Sequence, residues 1–169
     1  TGTPGGPVAF LRPVGGLIGD GFGVVRANGR AHQGLDFPVG YGTQVGAAGV
    51  GTTIFAGFNH FGYGNLVVVQ HRLGYTTWYA HLQTITTWIG EQVVGGTRLG
   101  YVGSTGYSTG PHLHFEVRRY NTPIDPMPQL LSTTAARKRV THSHARDRCP
   151  APRHERPHSG SWIARERLC

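Results

Sequence analysis

The sequence predicts an all-β protein: a compact antiparallel β-sheet with few or no helices. Three observations predict it. Gly and Pro are abundant, 27 and 11 of 169 residues, and both punctuate strands and are poor in helix interiors. Apolar and polar residues alternate with period two in short runs, most clearly Tyr75 to Leu82 and His112 to Val117. Turn residues cut these runs apart at short intervals, as in Arg72-Leu73-Gly74 and Gly103 to Gly110. The length suffices for one domain with a sizeable core. No Gly-X-Y period, long repeat or bilayer-spanning apolar run is present.

Thr1 to Pro7 is Gly/Pro-rich and reads as a linker, and residues 8–131 as the domain. Val8 to Leu11 reads as a short strand stopped by Pro13, and Gly15 to Gly23 as a loop. His32 and Asp36 stand four apart around Gly34 and before Pro38, which disfavour a helix and place the pair on a loop entering a short strand. Val45 to Val50 reads as a turn and Gly51 to Phe58 as a strand. Asn59 to Asn65 reads as a turn-rich loop, with His60 on a substrate rim or simply solvated. Leu66 to His71 and Tyr75 to Leu82 read as strands joined by a hairpin turn. Alternation there puts Thr77, Tyr79 and His81 on one face and Trp78, Ala80 and Leu82 on the other. His71, at a strand end, reads as structural. Gln83 to Trp88 reads as a loop or one helical turn, and Glu91 to Gly96 with Arg98 to Val102 as a hairpin. Gly103 to Gly110 is a Gly/Ser/Thr loop; no Lys follows it and a strand succeeds it, which excludes a phosphate-cradling loop.

The strand after that loop carries His112 and His114 on one face and Leu113, Phe115 and Val117 on the other. Imidazole is the commonest metal ligand and titrates near neutral pH, so such a pair suits a metal site built on a sheet. Glu116 shares the histidine face, where it is either a partner behind a ligand or a solvent-facing residue.

The net charge of +8 is uneven. Up to Leu131 seven Arg face five acids; from Ser132 onward nine Lys/Arg face three acids. The basic, His/Arg-rich segment 132–169 has no steady period and is expected to be disordered. It holds both cysteines, Cys149 and Cys169, so the domain has neither a disulfide scaffold nor a Cys-based zinc site. Its His142-Ser143-His144 lacks apolar alternation and is read as a chance feature. Residue 1 is Thr, and no export signal is visible; a mature terminus or an excised segment are the two readings.

His32-x-x-x-Asp36, Tyr79-Ala80-His81-Leu82 and Gly110-Pro111-His112-Leu113-His114-Phe115-Glu116 occur in that order. With Tyr63-Gly64-Asn65 and Gly100 to Gly106, this pattern resembles the lysostaphin-type (LytM-like) zinc endopeptidases, which cut the peptide part of bacterial peptidoglycan. The resemblance spans roughly Val8 to Leu131. It implies a barrel-sandwich of the duplicated hybrid-motif, lysostaphin-like kind. It implies that His32, Asp36 and His114 ligate Zn2+ and that His81 and His112 form the catalytic pair. A tyrosine that some members carry upstream of the first ligand has no counterpart, since Arg26-Ala27-Asn28-Gly29 fills that region. Asn59, His60, Tyr63, Ser104, Thr105 and Ser108 are the expected substrate-binding residues, and Glu116 the expected partner behind a ligand.

Three protein ligands leave zinc one open position, as in catalytic rather than structural sites. The expected activity is hydrolysis of a stem-peptide or cross-bridge bond by a metal-activated water, in the extracellular, periplasmic or cell-wall space. The alternatives are a non-catalytic wall-binding or amidase-regulating domain of the same fold, and the lytic segment of a phage tail protein. A nucleic-acid binder fits poorly, because the domain is near neutral and carries no recognition motif. The basic segment is expected to contact the anionic cell envelope.

Overall fold

The computed structural model describes residues 8–27 and 29–130. The linker expected over 1–7 and the basic segment expected over 132–169, with Cys149, Cys169 and His142-Ser143-His144, lie outside the described residues. Nine strands follow in order: β1 (Leu35–Phe37), β2 (Gln44–Gly46), β3 (Gly51–Asn59), β4 (Gly64–Gln70), β5 (Tyr75–Ile85), β6 (Gln92–Val93), β7 (Arg98–Val102), β8 (Leu113–Arg119) and β9 (Thr122–Ile124). Among the described residues the only helical elements are two 3-10 turns, Arg72–Gly74 and Met127–Gln129. All pairings between strands are antiparallel. The main path runs β1-β8-β5-β4-β3-β6, with β9 on β8 and β7 bridging β5 to β2.

The sheet has two apolar faces because its central strands are apolar on both sides. Val67 and Val69 of β4 join Tyr79, Leu113, Phe115 and Val117 in the larger core, which also takes Leu35, Phe37, Leu99 and Val102. Leu66 and Val68 of β4 face the other way, onto Ala80, Phe55, Tyr63 and Trp78. Each fully buried Leu, Val or Phe contributes roughly 1.5–3 kcal/mol. β5 is thereby packed on both faces and β8 on one, and the register between them is well specified: Trp78 opposes Glu116 and Ala80 opposes His114.

Several expected elements differ. Val8 to Leu11 forms no strand; Phe10 makes a single bridge to Leu130, and its neighbour Leu11 hydrogen-bonds Ala48. The expected turn at Val45 begins inside β2, which pairs with β7. Gln83 to Trp88 is neither loop nor helix at its start, because β5 continues to Ile85 along β7. Residues 91–102 do not form their own hairpin: β6 pairs with β3, while β7 pairs with β2 and β5. These short segments alternate too weakly to name their partners, and long-range apolar burial decides the pairing.

The consequential difference is in β5. Strict alternation would leave His81 on the face of Tyr79, inside the larger core. Between β4 and β5 the register slips, Val67 opposing Tyr79 but Asn65 opposing Leu82. One extra residue on β5 makes a β-bulge. His81 sits there with φ +59°, a left-handed conformation uncommon for a non-glycine residue. The bulge sends Leu82 into the core with Tyr79 and leaves His81 beside His114 of β8 and His112 just before it.

Candidate metal centre

His32 and Asp36 approach β8 as the chain enters β1, where Asp36 opposes His114. Gly34 allows the approach: a Cβ there would lie 2.3 Å from the Phe115 carbonyl oxygen and 2.9 Å from Glu116 Cγ. The ligand-type atoms then converge. His114 Nδ1 is 2.8 Å from Asp36 Oδ1, His32 Nε2 is 3.2 Å from the same oxygen, and His32 Nε2 is 2.9 Å from His114 Nδ1.

The far side of each ring decides what these atoms are. His32 Nδ1 is 2.9 Å from the Gly21 carbonyl, which can only accept, so that nitrogen carries the hydrogen. His114 Nε2 is 2.9 Å from Glu116 Oε1 and likewise donates. In neutral rings this turns the lone pairs of His32 Nε2 and His114 Nδ1 toward the Asp36 carboxylate. Three acceptors this close repel one another unless a proton or a cation lies among them. Burial disfavours charge on His114, but the Asp36 and Glu116 carboxylates outweigh it and raise its pKa. Burial alone would raise the Asp36 carboxyl, yet hydrogen bonding with His114 and His32 and their charge hold it far below the usual range. A field that draws a proton to this spot also draws a metal ion, and two imidazoles with a carboxylate are a donor set that fits one.

The partners behind the ligands are buried and charged. Glu116 is fully buried; its Oε1 also accepts from Tyr63 Oη at 2.8 Å, and its Oε2 from Arg118 Nε at 2.6 Å. Burial opposes ionisation of Glu116, but His114 and Arg118 prevail and lower its pKa. The Arg118 guanidinium lies 3.8 Å above the centre of the Trp78 ring. On the other flank Arg26 forms an ion pair with Asp36 Oδ2.

Two more imidazoles border this cluster. The rings of His81 and His112 are 4.7 Å apart, and His112 Nε2 is 3.8 Å from Asp36 Oδ1. His81 Nδ1 donates to the Thr105 carbonyl at 2.7 Å and His112 Nδ1 to the Gly110 carbonyl at 2.8 Å, which leaves Nε2 of each as the acceptor nitrogen. Burial pushes the His81 imidazole down to about 4, against the opposing effect of the Thr105 carbonyl, so it is neutral near pH 7.

All five histidine and aspartate candidates therefore come together. The expected substrate residues divide. Tyr63 and Ser108 line depressions on either side of the cluster, but the Tyr63 hydroxyl is committed to Glu116 and Arg118. Ser104 hydrogen-bonds Ser108 at 2.9 Å. Thr105 is a brace, bonding Leu82 and Asn65 through its hydroxyl and His81 through its carbonyl. Asn59 and His60 line neither depression; Asn59 Oδ1 accepts the Phe61 N–H and His60 packs on Phe58. Sequence reasoning missed Gly21, Arg26 and Arg118. Arg118 shares the face of Glu116 by alternation and was readable; the other two contacts are tertiary. His71 is structural as expected, held by the Val50 carbonyl and the Thr77 hydroxyl.

An antiparallel sheet that gathers two imidazoles and a carboxylate at one point, with two further imidazoles alongside, has the layout of a metal-dependent hydrolase. The chain belongs to peptidase family M23, whose model matches residues 30–126. It is 44% identical over 104 residues to the DD-carboxypeptidase/endopeptidase Mpg of Neisseria meningitidis, covering 62% of this chain and 24% of that protein. The lysostaphin catalytic domain of Staphylococcus simulans superposes with a TM-score of 0.62 at 38% identity, covering 66% of this chain and 90% of that one. A zinc-containing peptidase from Vibrio cholerae superposes with a TM-score of 0.65 at 38% identity, covering 72% of this chain and 40% of that one. The chain spans about a quarter of the length of the curated relatives it matches. Among the described residues, no helix is long and apolar enough to cross a membrane.

Proposed function

We propose that this domain is a zinc endopeptidase acting on peptide bonds of bacterial peptidoglycan, outside the cytoplasm. The observation that carries the reading is the convergence of His32 Nε2, His114 Nδ1 and Asp36 Oδ1, all within 4.8 Å of one another, in tautomers fixed from behind. Relatives named as glycyl-glycine endopeptidase, lysostaphin and peptidoglycan DD-endopeptidase support the substrate class. A zinc-containing neighbour supports the metal. Bound by these three residues, zinc would supply Lewis acidity for a scissile carbonyl and lower the pKa of water from about 15.7 to about 7.

The chain's own residues do the rest. Gly21 and Glu116 hold the ligating rings in place, and Arg26 turns one oxygen of Asp36 away from the cluster, leaving the other to face it. His81, neutral and with its Nδ1 spent on Thr105, presents a lone pair able to take a proton from an attacking water. His112 presents Nε2 on the same side. Between them the two rings carry a proton from water to the leaving amine. Ser108, 3.3 Å from His112 Nδ1, steadies that ring and borders the groove. The basic segment 132–169, with nine Lys/Arg against three acids, would attach the domain to the anionic envelope by charge.

The test is digestion of purified cell walls, read by new amino groups and by mass spectrometry of the fragments. Activity is expected with zinc, is expected to be lost on chelation and regained on zinc addition. Walls that bind the protein but yield no new amines would leave only a binding domain.

A further inference from the structure

Two depressions flank the metal centre, and they differ in charge. One is walled by Arg26 and Arg30 with Gln33, Phe61 and Tyr63. The other is walled by Asp20, Asp36 and the hydroxyl-rich turn through Ser108 and Thr109. Arg26 and Tyr107 border both, so a peptide lying across the ligand atoms passes between cationic and acidic halves beside Arg26. Glu116 also borders the cationic half, but it is fully buried and satisfied by His114, Tyr63 and Arg118.

Arg26 is not used up by its place beside Asp36. One nitrogen, Nη2, meets Asp36 Oδ2; Asp20 is 4.0 Å from the same nitrogen. Nε is buried and out of a ligand's reach, but the side chain is 36% exposed, borders the groove and spends only Nη2 on a hydrogen bond to Asp36. A guanidinium carries five N–H donors in a planar fork and can serve two carboxylates at once. Aligned N–H donors at the lip of a groove are complementary to an anionic oxygen pair, and a neutral peptide amide uses them poorly.

We propose that Arg26 is a specificity-determining residue, binding a free carboxylate of the substrate on the Arg26/Arg30 side of the scissile bond. The inference rests on the hydrolase reading above and narrows it: peptides with a carboxylate beside the cleaved bond are the better substrates, and bridges of uncharged residues the poorer ones. The carboxylate is either a side-chain acid or the C-terminal α-carboxylate of a short stem, and both offer the same pair of oxygens.

The experiment uses the full chain loaded with zinc and three synthetic peptides that differ in one group next to the scissile bond: a carboxamide, a side-chain carboxylate, or a C-terminal α-carboxylate. The expected kcat/KM is at least about tenfold higher for one or both acids than for the amide, as a charged hydrogen bond provides. Which acid is favoured tells the two sources apart. In Arg26→Gln the acid-to-amide ratio falls to about one, whereas Arg26→Lys, which keeps the charge without the fork, retains an intermediate ratio. Because each ratio is taken within one variant, a change in metal loading cancels; metal content and melting temperature are recorded beside it. If Arg26→Gln fails to fold or turn over, the wild-type ratio and that of Arg26→Lys decide. Equal rates on amide and acids in the wild type, or an unchanged ratio in the variants, overturn the inference while leaving the hydrolase reading intact. Failure of the wild type to cleave any peptide or wall overturns both.

Discussion

In the candidate metal centre, the orientation of the His32 and His114 rings is defined by the hydrogen bond on the far side of each. Glu116 carries the heaviest load, because it orients His114 while itself depending on Arg118 and Tyr63. Glu116→Gln keeps an acceptor for His114 but weakens the charge that holds it. Metal affinity is expected to fall about 10- to 100-fold, measured by competition with a chromophoric chelator. Unchanged affinity would reduce Glu116 to a packing residue. His81 and His112 stand outside the proposed ligand set of His32, Asp36 and His114, so each Ala variant is expected to keep its metal and its melting temperature within a few degrees while wall hydrolysis drops about 10²- to 10⁴-fold. Retained hydrolysis in both variants would sink the proposed proton pathway. At this scale the sequence was legible where residue type and spacing carry chemistry: His32, Asp36, His112 and His114 are all where their motifs lead one to look. Arg26 was not, since nothing in its local sequence says that a loop returns its guanidinium to a carboxylate ten residues on.

Among the elements, β5, β8 and the loop entering β1 bring the site together. The loop must lie flat on β8, and Gly34 is where contact is tightest. Its neighbour there is backbone, the Phe115 carbonyl, so an added methyl cannot be accommodated by a side-chain rotation. Gly34→Ala is expected to cost about 1–3 kcal/mol of stability, seen as a lower melting temperature, and to weaken metal binding by separating His32 and Asp36 from His114. A variant that melts lower yet binds metal normally would show that the loop relaxes elsewhere. The β5 bulge was not legible. Period-two alternation puts His81 with Tyr79, whereas the one-residue slip against β4 moves it to the other face. That slip depends on how β4 and β7 meet β5, which no window along β5 contains.

Over the whole molecule, the described residues bury a Thr53–Thr87 pair and two larger polar networks, one of them at the candidate metal centre. At the other, the Ala48 N–H donates to Tyr79 Oη, Tyr79 Oη and Thr77 Oγ1 are 2.8 Å apart, Thr77 Oγ1 is 2.8 Å from His71 Nε2, and His71 Nδ1–H donates to the Val50 carbonyl. This chain satisfies a neutral His71, and burial lowers its pKa despite the Val50 bond. The folded pKa lies below the unfolded value of about 6.5, so the unfolded state binds the proton more readily and stability declines as pH falls below that value. The melting temperature should drop between pH 7 and pH 5, and His71→Gln should flatten part of that slope; parallel slopes would exclude His71 as the cause. The charge of residues 132–169 adds a separate expectation. Wall binding should weaken with added salt, and deleting that segment should abolish the salt-sensitive part. Unchanged binding would rule the role out.

The order of strands, the turns between most of them and the set of metal-type residues were determined by the sequence itself, because alternation, glycine placement and side-chain chemistry act over a few residues. Tertiary structure alone decided how β1, β6 and β7 pair, which face His81 takes and that Arg26 stands beside Asp36. Those outcomes join positions as distant as Asp36 and His114, 78 residues apart, and follow from burying two apolar faces of one sheet at once.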